Sequence, residues 1–152
     1  MDWMKELQAS VDKKYLIQSM MLLDTKYNAD CELKDFSENS IREYSEYIGE
    51  NYSAKQRNIL KSAFQYLADA FSEKQEQITQ MNIPMMVYLA DVAEDAEIEP
   101  EVFRDWWGYF SEEDELMELY NLFGSLESAD AEKIKCRLAI MLKSFYRYCR
   151  LI

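Results

Sequence analysis

Apolar residues recur every three or four positions along most of this chain, and the clearest case follows Ser53. Seven apolar positions there share one helical face: Ile59, Leu60, Ala63, Phe64, Leu67, Ala68 and Phe71. Charged side chains such as Lys55, Lys61 and Asp69 lie on the other faces. Serine is preferred just before a helix, because its hydroxyl accepts a hydrogen bond from an unpaired backbone N–H. The pattern therefore predicts an amphipathic helix that begins after Ser53 and packs one face against the core.

Six further segments have helical spacing, and none alternates strictly enough to predict a strand. The full set is a helix that ends near Asn28, one over 41–52, the one after Ser53, helices near 84–95 and 100–110, one that Ser111 caps and Gly124 ends, and a last one that begins at Ser128. Pro84 and Pro100 suit a first helical turn, since proline has no N–H to leave unpaired. The sequence predicts seven helices.

The predicted fold is a compact all-α bundle of about seven helices, with short connections and no sheet. Three Gly and two Pro among 152 residues leave few residues for the many turns of a β-sandwich or barrel. We expect a single helical domain over 1–152. If the chain has two subdomains, their junction lies near 72–82, the longest polar stretch with weak periodicity.

The chain is expected to be soluble and cytoplasmic. No stretch approaches the roughly 18 consecutive apolar residues of a membrane span. The first residues, MDWMKELQAS, lack the apolar core and cleavage site of a signal peptide. Cys31, Cys136 and Cys149 are widely spaced, which argues against a disulfide framework or a zinc site. We expect reduced thiols that fill small spaces in the core.

The residue types exclude most catalytic chemistry. The chain has no His, which removes the commonest general base and metal ligand, and it has no Gly-rich phosphate loop. We therefore expect no enzymatic activity, no cofactor and no metal. The 29 acidic residues leave room for a carboxylate-based metal enzyme, but solvated surface carboxylates are the expected outcome in so acidic a chain.

Charge is distributed unevenly along the sequence. The formal net charge is −12, which argues against direct nucleic-acid binding. Residues 91–118 hold twelve acidic residues and one basic residue, whereas 133–150 holds six basic residues and no acid. One interpretation is that carboxylates at helix starts complement the helix dipoles, as in the run from Glu112 to Glu115. The other is an acidic surface that docks onto a basic or nucleic-acid-binding protein.

A candidate partner-binding surface lies within this acidic stretch. Its residues are Asp105, Trp106, Glu112, Glu113, Asp114, Glu115 and Glu118. In the segment FRDWWGYF, the spacing of Phe103, Trp107 and Phe110 predicts one buried face. Trp106 then points elsewhere, and we expect a partly exposed ring among carboxylates. An exposed Trp of this kind is typical of a binding hot spot.

The segments NIPMMVYLADVAED, EIEPEVFRDWWGYF and KIKCRLAIMLKSFYRYC, read in order, resemble a known helical region. It follows the ParB-like nucleotide-binding fold in the GmrSD-type, modification-dependent restriction family. In that family an Arg–Leu and a later aromatic pair commonly close the domain, and Arg137–Leu138 and Phe145–Tyr146 stand in those places. The stretch 11–71 is similar to the preceding part of the region.

The family's nucleotide-handling residues belong to an N-terminal domain with a DGQQR-type motif, which this chain lacks. No catalytic residue carries over. The resemblance implies a detached helical module that acts as scaffold, sensor or partner to an effector.

Two functions follow as expectations. The first is a non-enzymatic helical protein-interaction module in bacterial anti-phage defence or phage counter-defence. The alternative is an acidic inhibitor that mimics DNA, of the anti-restriction or anti-CRISPR type, and docks on a nucleic-acid-binding groove. Both imply a protein partner that is basic or binds nucleic acid, no membrane association and no direct contact with nucleic acid, and both allow a homo-oligomer.

Overall fold

The structure, a computed structural model, describes residues 11–28, 33, 35–71, 82–122 and 130–150. These residues form seven α-helices and no strand, which confirms the all-α prediction. The helices are α1 Lys13–Tyr27, α2 Glu38–Asn51, α3 Ala54–Ala70, α4 Ile83–Asp95, α5 Pro100–Glu112, α6 Asp114–Leu122 and α7 Ala131–Cys149. An isolated antiparallel bridge joins Asp35 to Asp130.

The helix predicted after Ser53 is confirmed as α3. The Ser53 hydroxyl accepts a hydrogen bond from the backbone N–H of Gln56, and the Gln56 side chain accepts one from the Ser53 N–H. This capping box satisfies two N–H groups that have no partner within the helix. The buried stripe differs in part from the prediction, because Tyr66 is buried while Phe64 is half-buried and Ala68 is exposed.

Helix α1 lies at the centre of the first half of the bundle, packed against α2 and α4. Its residues 16–24 are all buried, so its neighbours cover every face. Three polar side chains are enclosed with the apolar ones: Gln18, Ser19 and Asp24. The Asp24 carboxylate accepts hydrogen bonds from the Tyr44 hydroxyl on α2 and from the Gln56 amide on α3, the latter at 2.5 Å. This buried carboxylate therefore fixes three helices relative to one another.

The second half of the bundle is built on an aromatic cluster between α3, α5 and α7. Phe103 on α5 lies at its centre, with ring centroids 5.5 Å from Tyr66 and 5.6 Å from Phe145. Both pairs are inclined rather than stacked face to face, which is the geometry that aromatic quadrupoles favour. Arg137 on α7 is also buried, with its guanidinium carbon 4.0 Å from the centre of the Tyr120 ring on α6. These contacts set the relative positions of α5, α6 and α7.

Helix ends in the acidic region differ from the prediction. Ser111 was expected to cap a helix, but it lies in the last turn of α5 and its hydroxyl donates to the Gly108 carbonyl at 3.2 Å. The prediction is wrong because the Phe103 to Phe110 stripe continues α5 through Glu112. Asp130 caps α7, accepting from the Lys133 N–H at 2.9 Å. Ser128, Gly124, Cys31 and the stretch 72–81 lie outside the described residues.

Candidate functional site

The predicted partner-binding residues do not share one environment in the structure. Asp105, Glu112, Glu115 and Glu118 are exposed, and Glu113 is half-buried between α5 and α6. Asp114 begins α6, but its side chain lies outside what the structure describes. Trp106 is fully buried. The structure therefore exposes four of the predicted carboxylates and does not bring Trp106 to the surface beside them.

The expectation that Trp106 is partly exposed is wrong. Its indole Nε1 donates to the Ser144 hydroxyl on α7 at 3.1 Å, and its ring contacts Phe103, Phe110 and Phe145. Helix α5 packs against α3, α6 and α7, so its buried stripe is wider than one line of residues. A fully buried ring cannot contact a partner in this conformation, and Trp106 is part of the core.

The exposed carboxylates on α5 share one outer face. Glu101, Asp105 and Glu112 follow a helical spacing of four and seven residues, opposite the buried aromatics. At 1.5 Å per residue they cover about 16 Å, a length in which one DNA strand carries about five phosphates. The Arg104 guanidinium also lies 3.6 Å from the Asp105 carboxylate. The charge density on this outer face is therefore lower than on a DNA strand.

The helix-dipole interpretation of the same residues also needs correction. Glu112 is the last residue of α5, and Glu113 follows as its C-terminal cap. Carboxylates at a helix C-terminus face the negative end of the dipole, which disfavours them. Both residues directly precede α6, so the dipole of α6 offsets part of this effect. Dipole complementarity alone does not account for their position.

A groove between α5, α6 and α7, here called the aromatic groove, holds the largest group of exposed apolar side chains. It has a volume of about 340 Å³ and is lined by Tyr109, Leu116, Leu119, Ile140, Lys143, Ser144, Arg147 and Tyr148. Among the described residues six large apolar side chains are exposed, and three of them line this groove: Tyr109 (48%), Leu119 (43%) and Tyr148 (40%). The Tyr109 and Tyr148 rings contact each other across it, with centroids 5.5 Å apart.

The floor and one wall of the aromatic groove have different chemistry. At the floor, Ser144 accepts the Trp106 indole N–H, so the groove rests on the buried aromatic cluster. On the wall, Lys143 and Arg147 lie one turn apart on α7. Neither cation forms an ion pair with a described residue. The groove thus combines exposed apolar surface with two cations and no carboxylate in its lining.

A second groove, here called the polar groove, lies between α1, α3 and α4. It is larger, at about 550 Å³, and is lined by Tyr27, Lys55, Asn58, Ile59, Ser62, Asp91, Glu94 and Asp95. Lys26 donates to Asp91 at 2.6 Å and to Asp95 at 2.7 Å, and the Tyr27 hydroxyl donates to the same Asp91 oxygen at 2.6 Å. Glu94 accepts from the Ser62 hydroxyl, while its other carboxylate oxygen is buried and has no hydrogen-bond partner among the described residues.

The hydrogen bonds of the polar groove also shift proton affinities. Burial alone lowers the pKa of Lys26, but the hydrogen bonds to Asp91 and Asp95 outweigh it and hold that pKa well above its usual range. Burial raises the pKa of the Tyr27 hydroxyl, and the hydrogen bond to Asp91 raises it further, to about 12. Both groups therefore keep their protons at neutral pH. This network joins the C-terminal end of α1 to α4.

The two grooves can do different things chemically. Five of the eight residues that line the aromatic groove are apolar or aromatic, against Tyr27 and Ile59 alone in the polar groove. Enclosing one large apolar side chain contributes about 1.5–3 kcal/mol. A partner that docks in the polar groove must instead desolvate the carboxylates of Asp91, Glu94 and Asp95. The aromatic groove therefore offers more apolar surface for a partner to bury, despite its smaller volume.

The described ranges offer few features of other functional classes. No group of three or more His, Cys, Asp or Glu side chains within them is arranged to hold a metal ion. None of the helices described is long and apolar enough to cross a membrane. Cys136 is exposed, so the expectation that it fills the core is wrong, whereas Cys149 is half-buried and burial raises the pKa of its thiol.

No protein-family model, curated protein or solved structure matches this chain. The resemblance to the helical region of the GmrSD-type family therefore stays a prediction. The site must be judged on its own geometry.

The residues of the aromatic groove were missed by the sequence interpretation. Tyr148 continues the 3–4 spacing of the buried Met141 and Phe145 on α7, a pattern that predicts a core position, yet it is exposed. Tyr109 follows the WWG segment and carried no separate signal. One feature of the sequence could have indicated this groove. Lys143 and Arg147 lie four residues apart, and no acidic residue lies between 133 and 150. A basic strip on an amphipathic helix of an acidic chain indicates a surface with its own role.

Proposed function

We propose that this chain is a non-enzymatic helical protein-interaction module that binds a protein partner through the aromatic groove. The observation that carries the proposal is the clustering of Tyr109, Leu119 and Tyr148, three exposed apolar side chains in one groove. Contiguous exposed apolar surface with a polar rim is typical of protein-binding sites. Tyr and Arg are also enriched among residues that dominate binding energy.

The cellular setting rests on the sequence resemblance alone. A helical region like that of the GmrSD-type restriction family would place the module in bacterial anti-phage defence or phage counter-defence. In that setting the module acts as a scaffold or sensor for an effector.

The test is co-purification from native cells with paired variants. The groove variant is Leu119→Ala with Tyr148→Ala, and the matched control in the polar groove is Lys55→Ala with Asn58→Ala. All four side chains are exposed, so we expect both variants to remain folded, which thermal melts will verify. Wild type and control should retain the same partner, and the groove variant should lose it. Retention of the partner by the folded groove variant would refute the proposal.

A second candidate, the acidic DNA mimic, is supported by Glu101, Asp105 and Glu112 on the outer face of α5. Its charge density, lower than that of a DNA strand, counts against it. The two candidates differ in a competition experiment with the purified partner. Short duplex DNA should displace a mimic from a nucleic-acid-binding groove and should leave a partner held in the aromatic groove bound.

A further inference from the structure

We infer that the occupant of the aromatic groove is an acidic amphipathic helix of the partner protein, with carboxylates four residues apart beside its apolar anchors. The inference rests on the proposed function and adds the chemistry of the partner. It follows from the charges of the groove, from the shape of its walls and from the distribution of charge over the whole chain.

The cations of the groove have no ion pair among the described residues, although the chain is rich in carboxylates. Acidic residues outnumber basic ones by 29 to 17, yet Lys143 and Arg147 form no ion pair with any described residue. None of the eight residues that line the groove is acidic. Glu115 and Glu118 are exposed on the neighbouring α6 but lie outside the lining. The charged side chains that line the groove are therefore all positive, opposite in sign to the net charge of the chain.

The distance between these two cations determines how far apart two carboxylates of a partner must lie to pair with both. Lys143 and Arg147 are separated by four residues on α7, which is about 6 Å along a helix axis. A partner helix that lies along α7 presents carboxylates at the same separation when they are four residues apart. The Arg147 guanidinium offers two parallel N–H donors to one of them.

The apolar part of the groove fits the other face of such a helix. A volume of about 340 Å³ is at the small end of the range for ligand pockets, roughly 300–1,000 Å³, and suits a few anchoring side chains. Helices bind in grooves of this kind through residues at i, i+3 or i+4, and i+7. Leu116 and Leu119 on one wall and Ile140 on the other provide apolar contacts on both sides of the anchors.

The experiment is a selection from a phage-displayed library of helical peptides of about 16 residues, a length at which isolated helices begin to form. Apolar residues are fixed at i, i+4 and i+7, and the other positions are random. Wild-type protein is the target, and the Leu119→Ala with Tyr148→Ala variant removes peptides that bind elsewhere. We expect the enriched peptides to carry Asp or Glu pairs four residues apart.

Charge reversal then tests the pairing on synthetic copies of the enriched peptides. Lys143→Glu with Arg147→Glu should weaken binding by about tenfold or more, and peptides with Lys in place of the paired carboxylates should recover it. The matched control is Lys133→Glu with Lys135→Glu, which changes net charge equally on the first turns of the same helix. This control should change binding far less, because its side chains lie outside the groove.

The outcomes separate the inference from the proposed function. Groove-dependent peptides without an acidic bias, or equal effects of the two charge reversals, would overturn the inference and leave the groove as a docking site. No enrichment once peptides that also bind the groove variant have been removed would count against both.

Discussion

The aromatic groove and the polar groove differ in how many of their side chains already bind one another and how many remain exposed to a partner. In the polar groove the Lys26 ammonium and the Asp91 and Asp95 carboxylates bind one another, which ties α1 to α4. In the aromatic groove Tyr109, Leu119 and Tyr148 remain exposed, and Lys143 and Arg147 have no ion pair among the described residues. The network in the larger groove therefore holds helices together, while the smaller groove leaves more apolar surface exposed. Volume alone would have ranked them in the opposite order.

The largest expected effect is a difference in the free energy of unfolding between a variant at the floor of the aromatic groove and a variant at its rim. Trp106→Ala should lower the free energy of unfolding by about 3–5 kcal/mol, because it removes a fully buried ring and leaves a cavity. Tyr109→Ala, at an exposed position on the rim, is the control and should change it by about 0.5 kcal/mol or less. Urea unfolding measures both. Equal costs would mean that rim and floor form one packed unit rather than an open groove.

The next effect tests whether the polar groove is structural. Asp91→Ala should lower the free energy of unfolding by about 1–3 kcal/mol, since Lys26 and Tyr27 both lose an acceptor. Asp95 binds the same ammonium group but its side chain is 61% exposed, so Asp95→Ala should cost about 1 kcal/mol at most. Chemical denaturation of the two variants gives the comparison. If Asp91→Ala is no more costly than Asp95→Ala, the network is not what holds α1 to α4.

Helix α3 and the contact between α5 and α7 show which parts of the structure could be predicted from the sequence and which could not. The helix α3 was predictable because its signals are local, with Ser53 and Gln56 forming the cap and the apolar residues following at helical spacing. Burial at the edges of a stripe was not predictable, because it depends on neighbouring helices. Trp106 is enclosed since α7 supplies Ser144 and Phe145 beside it, whereas Tyr148 continues the α7 rhythm and is nevertheless exposed.

The acidic surface provides a third, kinetic test. Replacing Glu112, Glu113 and Glu115 with Lys should change stability little, because Glu112 and Glu115 are exposed and Glu113 is partly so. If the occupant of the groove is acidic, the reversal should speed its association, most clearly below physiological salt, where charges act beyond about 10 Å. A basic partner would instead associate more slowly. Stopped-flow measurements with a selected acidic peptide and with the purified native partner distinguish the two. Slower association of the native partner with the reversed variant would favour the acidic face as the docking surface.

The smallest expected effect is a pH dependence of the polar groove. The pKa of Tyr27 is raised from 10.0 to about 12 in the folded chain, so its contribution to stability is complete below about pH 10 and is lost as the pH rises towards 12. Tyr27→Phe removes the titrating hydroxyl. The melting temperature of wild type should exceed that of the variant at pH 9, and the difference should shrink as the pH approaches 12. A difference independent of pH would show that the hydrogen bond to Asp91 does not control this proton.

The central claim is that the aromatic groove, and not the polar groove, meets the partner. Site-specific photocrosslinking in native cells tests it most directly, with p-benzoylphenylalanine in place of Tyr148 in one groove or of Asn58 in the other. Both residues line their groove and both are exposed, so the two probes are matched in position. We expect a discrete crosslinked product of higher mass from position 148, none from position 58, and loss of the product when Leu119→Ala is added. A product from position 58 alone, equal products from both, or no product at position 148 would contradict the account.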